Sequence, residues 1–270
     1  MKHYSGSYLT IDEVEQIVRE KKEKNCIVTL LAGFHDSGKT TLITSIYEYF
    51  QRGIKNYPYI FAGSKTLHEL EKQCYLTRII SNSNNKPERT LNNANENFLH
   101  LCVKRSDIKN KYISENPIYD FFISDFAGEW FTEMNDNDVK IENTRALMMS
   151  RQIIFLIDGK KLINFPQDAY EIFPLMKLLL EYVKKTNHEQ LKKKYYLIIS
   201  KWDLIQNMPD SERQIIIKNL EKTIDEMKID MKESYNIKLE DYTIAARPSK
   251  KALLIDKTIV NLFASWIDRK

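Results

Sequence analysis

Two glycines, a lysine and a threonine occur at the spacing Gly33-x-x-x-x-Gly38-Lys39-Thr40, after an apolar run and before an amphipathic one. Glycine permits turns in which successive backbone N–H groups point into one concavity, and such a concavity binds phosphate oxygens. A helix that begins near Lys39 would add the positive end of its dipole. Lys39 could neutralise β- and γ-phosphates, and the Thr40 hydroxyl could ligate Mg²⁺. The spacing therefore predicts a phosphate-binding loop, and a glycine-rich turn that matches by chance is the alternative.

The residues of this loop that we expect to contact a nucleotide follow one another closely. Lys39 is also the expected catalytic lysine, because it can offset charge on the transferred phosphate. The expected contacts are Gly33, Asp36, Ser37, Gly38, Lys39, Thr40 and Thr41.

A second candidate follows the apolar run that ends in "FFISD", where Asp125-x-x-Gly128 occurs. An aspartate at a strand end can hold Mg²⁺, usually through water. The backbone N–H of Gly128 could turn toward a γ-phosphate. The four-residue pattern is weak alone, and its position after the third predicted core strand strengthens it.

A third candidate, Ser200-Lys201-Trp202-Asp203, ends the run "LIISKWD". It matches the guanine-binding pattern [N/T]KxD, with serine in the first position. Asp203 could accept hydrogen bonds from guanine N1–H and the 2-amino group, whereas adenine lacks these donors, and an unpaired buried carboxylate is costly. The Lys201 stem would lie over the base plane. A strand end that merely forms ion pairs is the alternative.

The last apolar run ends in Ala245-Ala246-Arg247. This is a degenerate form of the [S/T]A[K/x] loop, in which a backbone N–H donates to guanine O6. We therefore include Ala245 and Ala246 among the expected nucleotide contacts. Ser200, which is shorter than asparagine, would tie the phosphate loop to the guanine-binding segment less firmly.

These candidates all follow apolar runs of strand length that alternate with helical patterns. Such alternation predicts a mostly parallel sheet covered by helices on both faces, and ligands bind beyond the carboxyl ends of its strands. The residues of 81–97 are rich in Asn, Ser and Pro and predict a loop. Predicted strands are 26–32, 59–62, 98–103, 118–125, 152–158, 195–200 and 241–246, and predicted helices are 12–25, 39–53, 64–80, 139–150, 167–186, 211–233 and 257–268.

The motifs GFHDSGKT, DFAG, SKWD and AAR occur in the order seen in Ras-like, translation-factor-class (TRAFAC) P-loop GTPases, over about residues 26–247. The segments "SGKTTLITSIYEYFQ", "YIFAGSKTLHELEKQC", "FISDFAGEWF" and "IIFLIDG" resemble the double-GTPase type of bacterial predicted GTPases, found in conflict or defence operons. The resemblance implies a three-layer α/β/α Ras-like G domain with a mostly parallel sheet and an inserted helix and loop before switch I. It also implies GTP/GDP and Mg²⁺ as ligands. We expect 1–25 to be a helical extension and 26–270 a single G domain.

The resemblance further implies a switch I threonine before the strand 98–103. Thr90 is the best placed, and would complete the Mg²⁺ site with Thr40 and Asp125. Arg89 beside it could act as an arginine finger in cis or could simply be solvated.

Glu129 occupies the position at which Ras-like enzymes carry the glutamine that orients the attacking water. A carboxylate could accept a hydrogen bond from water, but it adds negative charge near the developing metaphosphate. We therefore expect a GTPase with slow intrinsic hydrolysis that a partner's arginine stimulates. Trp130 and Phe131 would either face that partner or pack on the sheet. The expected partner surfaces lie near Thr90 and Trp130.

Composition limits the other possibilities. The net charge of +4 is spread among interleaved acidic and basic residues, so nucleic acid is not indicated. Three widely spaced cysteines and the absence of an apolar leader, a membrane-length run or a lipidation motif favour a cytoplasmic protein without a membrane anchor. The alternatives to a GTPase switch are a guanine-nucleotide-binding interaction module that does not hydrolyse GTP and, disfavoured by SKWD, an ATPase or kinase.

Overall fold

The computed structural model describes residues 6–23, 25–52, 59–77, 97–105, 118–125, 128, 145–186, 193–246 and 257–267. The strands are β1 Leu9–Thr10, β2 Cys26–Ala32, β3 Tyr59–Gly63, β4 Asn97–Arg105, β5 Ile118–Ser124, β6 Gln152–Asp158, β7 Lys194–Ser200 and β8 Leu239–Thr243. The helices are α1 Ile11–Glu20, α2 Lys39–Arg52, α3 Leu67–Thr77, α4 Arg145–Met149, α5 Gly159–Asn164, α6 Pro166–Tyr170, α7 Ile172–Lys185, α8 Trp202–Gln206, α9 Asp210–Tyr235 and α10 Lys257–Ile267.

One sheet organises these elements in the order β1-β4-β5-β2-β6-β7-β8, and β3 also pairs with β4. Strands β5, β2, β6, β7 and β8 run parallel to one another. Strand β4 is antiparallel to β5, and both β1 and β3 are antiparallel to β4. The predicted mostly parallel sheet is confirmed.

Apolar side chains project from both faces of the central strands, because successive residues of a strand point to opposite sides. From β2, Val28 and Leu30 join a cluster with Leu175 of α7 and Leu220 of α9. From the same strand, Ile27 and Leu31 join a second cluster, which includes Leu42 of α2, Leu70 of α3 and Phe263 of α10. Helices therefore cover both faces, which confirms the predicted three-layer α/β/α fold.

The inserted element predicted before switch I corresponds to β3 and α3, which lie between α2 and β4. The segment 167–186, predicted as one helix, forms α6 and α7, and Pro174 lies in the first turn of α7, where a missing N–H is tolerated. Of the predicted helix 139–150, the described part forms α4. Short helices α5 and α8 were not predicted.

The last strand differs from its predicted range, 241–246, since β8 spans Leu239–Thr243. The Ile244 N–H still donates to Ile199 O of β7 at 2.8 Å, but its carbonyl accepts from Trp202 N at 3.1 Å, beyond the end of β7. The following residues, Ala245 and Ala246, are thereby directed to the strand ends.

The N-terminal residues join the sheet through β1, which pairs with the first residues of β4. Thr10 caps α1, and its side chain exchanges hydrogen bonds with Glu13 in a capping box. The boundary expected at residue 25 stays a prediction. Among the described helices, none is long and apolar enough to cross a bilayer.

A buried polar network lies at the sheet end opposite the predicted ligand-binding edge. His100 Nδ1 accepts from Lys65 N at 2.9 Å, so its other nitrogen carries the proton and donates to Asp120 Oδ1 at 3.0 Å. Lys21 forms an ion pair with the second Asp120 oxygen. Burial lowers the His100 pKa, and hydrogen bonds from His100 and Lys21 outweigh burial and lower the Asp120 pKa.

We expect Asp120→Asn to lower the free energy of unfolding by about 2 kcal/mol, because a buried charge-assisted network loses its anion. Chemical denaturation at neutral pH would measure the change. Lys238→Ala, which breaks an ion pair of a lysine that is 83% exposed, is the control and should leave stability unchanged. Equal unfolding free energies for Asp120→Asn and wild type would contradict this role.

Candidate nucleotide-binding site

The predicted phosphate loop connects the end of β2 to the start of α2. Asp36 and Gly38 adopt φ values of 61° and +91°, in the left-handed region that allows a tight turn. A Cβ at Gly33 would lie 2.6 Å from the Ser37 hydroxyl oxygen and 3.2 Å from Leu156 Cβ, so a larger residue would displace the loop. Backbone conformation and close packing therefore explain both glycines of the pattern.

Lys39 is held inside the loop rather than extended into solvent. Its side chain is buried, and Nζ donates to Gly33 O at 2.6 Å and to Phe34 O at 3.1 Å. Burial of an ammonium requires such partners. The loop thus concentrates positive charge at the N-terminus of α2, where the Lys39 ammonium and the positive end of the helix dipole would both stabilise a bound phosphate.

The Ser37 hydroxyl gives a direct test of whether a phosphate group fits. It is buried and has no hydrogen-bond partner among the described residues. Buried polar groups are almost always paired, so this hydroxyl indicates a missing ligand atom. Thr41, one residue beyond Thr40, is half-buried, and its carbonyl accepts from Ser45 Oγ at 2.7 Å.

Asp125 and Thr40 meet at the carboxyl end of β5. The Asp125 carboxylate is 1% exposed, and Oδ1 accepts from Thr40 Oγ1 at 3.2 Å. Burial raises the Asp125 pKa, while a hydrogen bond from Tyr8 and the charge of Lys39 act against that rise. Mg²⁺ is commonly bound by one or two protein oxygens together with waters and substrate phosphates, and this carboxylate and hydroxyl supply two such oxygens. Thr40 and Asp125 therefore fit the predicted metal site.

Gly128 lies against the phosphate loop. A Cβ at this position would come 2.1 Å from His35 N and 2.6 Å from Phe34 C, both backbone atoms. Only glycine permits this approach. The Asp125-x-x-Gly128 motif and the phosphate loop are therefore in contact, as a γ-phosphate sensor would require.

The guanine-motif segment is tied to the phosphate loop by Lys201. This residue has φ 50°, and its Nζ donates to Asp36 O at 2.6 Å. Ser200 lies close to Gly38, 3.7 Å from where a Cβ would be, but its hydroxyl donates to Ile157 O at 3.2 Å. The Lys201 ammonium, and not the serine hydroxyl, therefore connects this segment to the phosphate loop.

Asp203 is half-buried in the first turn of α8. The neighbouring Trp202 N–H bonds to Ile244 O, which brings Ala245 and Ala246 alongside α8. The Ala246 carbonyl accepts from Ser45 Oγ of α2 at 3.2 Å. These contacts place the two predicted base-binding segments together next to the helix that follows the phosphate loop.

Asp158, which we did not predict as a site residue, completes this arrangement. It ends β6 with a buried side chain, whose Oδ2 accepts from Lys201 Nζ at 2.8 Å and whose Oδ1 accepts from Lys160 N at 2.8 Å. The next residue, Gly159, leaves no room for a Cβ, which would lie 2.3 Å from Ser200 O. The sequence pattern could have identified Asp158, because it ends an apolar run of strand length as Asp125 does.

Several predicted site residues lie outside the described residues. They are Arg89, Thr90, Glu129 and Arg247, together with Trp130 and Phe131. Their roles stay predictions. Tyr8, another residue that the sequence did not indicate, donates a hydrogen bond to Asp125 Oδ2 at 2.7 Å.

The model of a family described as Double-GTPase 2 matches residues 27–267. No curated protein sequence matches the chain.

Three solved structures illustrate the structural similarity. The signal recognition particle receptor SRb-GTP/SRX complex from Chaetomium thermophilum is 16% identical, with 82% of this chain and 90% of that chain covered and a TM-score of 0.43. The S. cerevisiae Ski7 GTPase-like domain bound to GTP is 15% identical, with 94% and 53% covered and a TM-score of 0.43. Methanosarcina barkeri Roco2 RocCORdC bound to GDP is 12% identical, with 90% and 49% covered and a TM-score of 0.38. The chain thus spans about half the length of the last two.

Asp158→Asn tests the new site residue. The amide oxygen can still cap α5, but the anion that holds Lys201 is lost, so we expect fluorescent GDP to bind about tenfold more weakly. Equilibrium titration measures the dissociation constant. Asp168→Asn, at an exposed position of α6, is the matched control. Equal affinities for Asp158→Asn and wild type would remove Asp158 from the site.

Proposed function

The chain belongs to the Double-GTPase 2 family, and we propose that it binds GTP and GDP with Mg²⁺ and hydrolyses GTP slowly, as a nucleotide-controlled switch. The observation that carries the proposal is the contact of Lys201 Nζ with the Asp36 carbonyl. It joins the guanine motif to the phosphate loop, so that one ligand with both a guanine and phosphates can span them.

Each predicted site residue that the structure describes has a role in this proposal. Lys39 and the N-terminus of α2 bind the β- and γ-phosphates, and the buried Ser37 hydroxyl donates to a phosphate oxygen. Asp203 recognises guanine, while Ala245 and Ala246 offer backbone N–H groups to its O6. Thr40 and Asp125 would hold Mg²⁺, which when bound neutralises charge on the phosphates.

Hydrolysis requires water to attack the γ-phosphorus, with cleavage of its bond to the oxygen bridging to the β-phosphate and release of GDP and phosphate. Positioning and charge neutralisation supply most of the catalysis in this chemistry. Glu129, next to Gly128, brings a negative charge to the place of the water-orienting residue. Thr90 and Arg89 are the proposed switch I threonine and arginine finger, as the resemblance implies.

The switch proposal extends to a partner. GTP would order the segments that carry Thr90 and 125–131, and hydrolysis would release them. A protein that binds these segments could supply an arginine in trans, which raises such rates by about 10³ to 10⁵. A cytoplasmic location and a role in bacterial defence belong to the same proposal and come from the sequence resemblance.

A guanine-nucleotide-binding module that does not hydrolyse GTP is the second candidate. The hydroxyl of Ser200 bonds to Ile157 O and not to the phosphate loop, and Glu129 replaces the expected glutamine. Both features favour binding over turnover. Phosphate release with and without a co-expressed partner distinguishes the two candidates.

Guanine specificity is tested with Asp203→Asn. The asparagine amide cannot accept both guanine donors, so we expect GDP to bind about a hundredfold more weakly and xanthosine diphosphate to bind better. Titrations with fluorescent GDP, ADP and xanthosine diphosphate measure this. Asp225→Asn, exposed on α9, is the matched control. Tight ADP binding without guanine preference would favour the ATPase or kinase alternative.

Slow hydrolysis is tested with Glu129→Gln, in single-turnover measurements of phosphate release. Removal of one negative charge near the γ-phosphate should speed hydrolysis about tenfold, or ~1.4 kcal/mol in the barrier. Wild-type protein alone that turns over several GTP molecules per second would overturn the slow-switch proposal. No phosphate release under any condition would favour the binding module.

A further inference from the structure

The N-terminal segment, residues 6–10, runs beside the predicted metal site. Leu9 and Thr10 pair with Phe98 and Asn97 of β4, and the Asn97 carbonyl in turn accepts from Asp125 N at 2.9 Å. At the other end of the segment, the Gly6 carbonyl accepts from a backbone N–H of α3 at 3.0 Å. Backbone hydrogen bonds on both sides therefore fix the residues between them.

Tyr8 lies within this fixed segment and points to Asp125. Its hydroxyl donates to Asp125 Oδ2 at 2.7 Å, while Thr40 donates to Oδ1. A tyrosine hydroxyl is protonated at neutral pH, so Tyr8 is the donor and the Asp125 carboxylate is the acceptor. Gln73 Nε2 donates to Glu69 Oε1 at 2.8 Å, and both side chains of α3 lie near enough to the Tyr8 hydroxyl to act on it electrostatically.

We propose that Tyr8 is a positioning residue of the nucleotide site, whose hydroxyl orients the Asp125 carboxylate for Mg²⁺ and so couples the N-terminal segment to metal binding. The inference rests on the proposed function, because it assigns Asp125 to the metal. Residues 6–10, which carry Tyr8, lie outside every sequence motif of the nucleotide site.

The hydrogen-bonding capacity of the carboxylate permits this role. Its two oxygens offer about four lone-pair sites, of which Tyr8 and Thr40 each occupy one. One site on each oxygen remains for a metal-bound water. Tyr8 therefore does not compete with the metal. Without the Tyr8 hydroxyl, the buried Asp125 carboxylate would lose one of its two side-chain donors and would be free to rotate.

The same N-terminal unit also contacts the other end of the segment that carries Gly128. Arg145, the first residue of α4, forms ion pairs with Asp12 at 2.7 Å and Glu15 at 2.8 Å, both in α1. Residues 6–20 thus contact the chain at two places: at Asp125, which precedes residues 126–144, and at Arg145, which follows them. Arg145 is 42% exposed, so its ion pairs are weak, and most of the coupling should pass through the hydrogen bond from Tyr8 to the buried Asp125.

Coupling between sites is reciprocal. If the Tyr8 hydroxyl stabilises the metal-binding orientation of Asp125, then Mg²⁺ with GDP must in turn stabilise residues 6–10 against local opening. This consequence can be measured without any enzymatic activity.

The test uses the full chain and Tyr8→Phe, which keeps the ring and removes the hydroxyl. The dissociation rate of fluorescent GDP is measured as a function of Mg²⁺ concentration, with Tyr75→Phe, 57% exposed on α3, as the matched control. We expect the Mg²⁺ concentration that half-maximally slows release to rise about tenfold for Tyr8→Phe alone. Release in EDTA should be unchanged.

A second readout is amide hydrogen exchange of residues 6–10. Addition of Mg²⁺ and GDP should slow their exchange in wild type and not in Tyr8→Phe. An unchanged Mg²⁺ dependence, or equal weakening with and without Mg²⁺, would overturn the positioning role while leaving the proposed function intact. Wild-type protein that binds no guanine nucleotide would overturn both.

Discussion

The buried carboxylate of Asp125 is the constraint around which the site is arranged. An ionised group at 1% exposure is unfavourable unless donors and opposite charge surround it. Tyr8 and Thr40 supply the donors, and Lys39 supplies the charge. Tyr8 comes from the N-terminal segment, whereas Lys39 and Thr40 are adjacent residues at the start of α2. Stabilising one anion at the end of β5 therefore brings together three distant parts of the chain.

A second buried anion repeats the principle at the end of β6, on the other side of β2. Asp158 holds Lys201, just as Asp125 lies near Lys39, and both lysines also donate to carbonyls of the phosphate loop. The two cations are thus fixed before any phosphate binds, which reduces the entropy that a ligand would lose in ordering them. The parallel sheet makes this possible, because its carboxyl ends lie along one edge.

The sequence allowed the phosphate loop and most strands to be predicted, since glycine spacing and apolar runs are local signals. It did not reveal Tyr8 or β1, because a two-residue strand leaves no periodic pattern and the contact with Asp125 spans 117 residues. Strand β8 was predicted too far along the chain, since the apolar Ile244, Ala245 and Ala246 look like strand residues. The strand ends at Thr243, and the carbonyl of the next residue bonds to Trp202 beyond the end of β7. Asp158 was within reach of the strand-end argument that identified Asp125.

Binding and hydrolysis depend on different parts of this chain. The residues proposed to hold phosphate and guanine, such as Lys39, Lys201 and Asp203, lie on elements packed against the core, where neighbouring hydrogen bonds fix their positions. The groups proposed to complete hydrolysis, Thr90 and Glu129, belong to the segments between β3 and β4 and between β5 and β6. Variants of the first group should change affinity, whereas variants of the second should change rate at nearly constant affinity. Since Tyr8 contacts Asp125 at the start of the second of these segments, the N-terminal residues are placed to influence turnover without contacting the base.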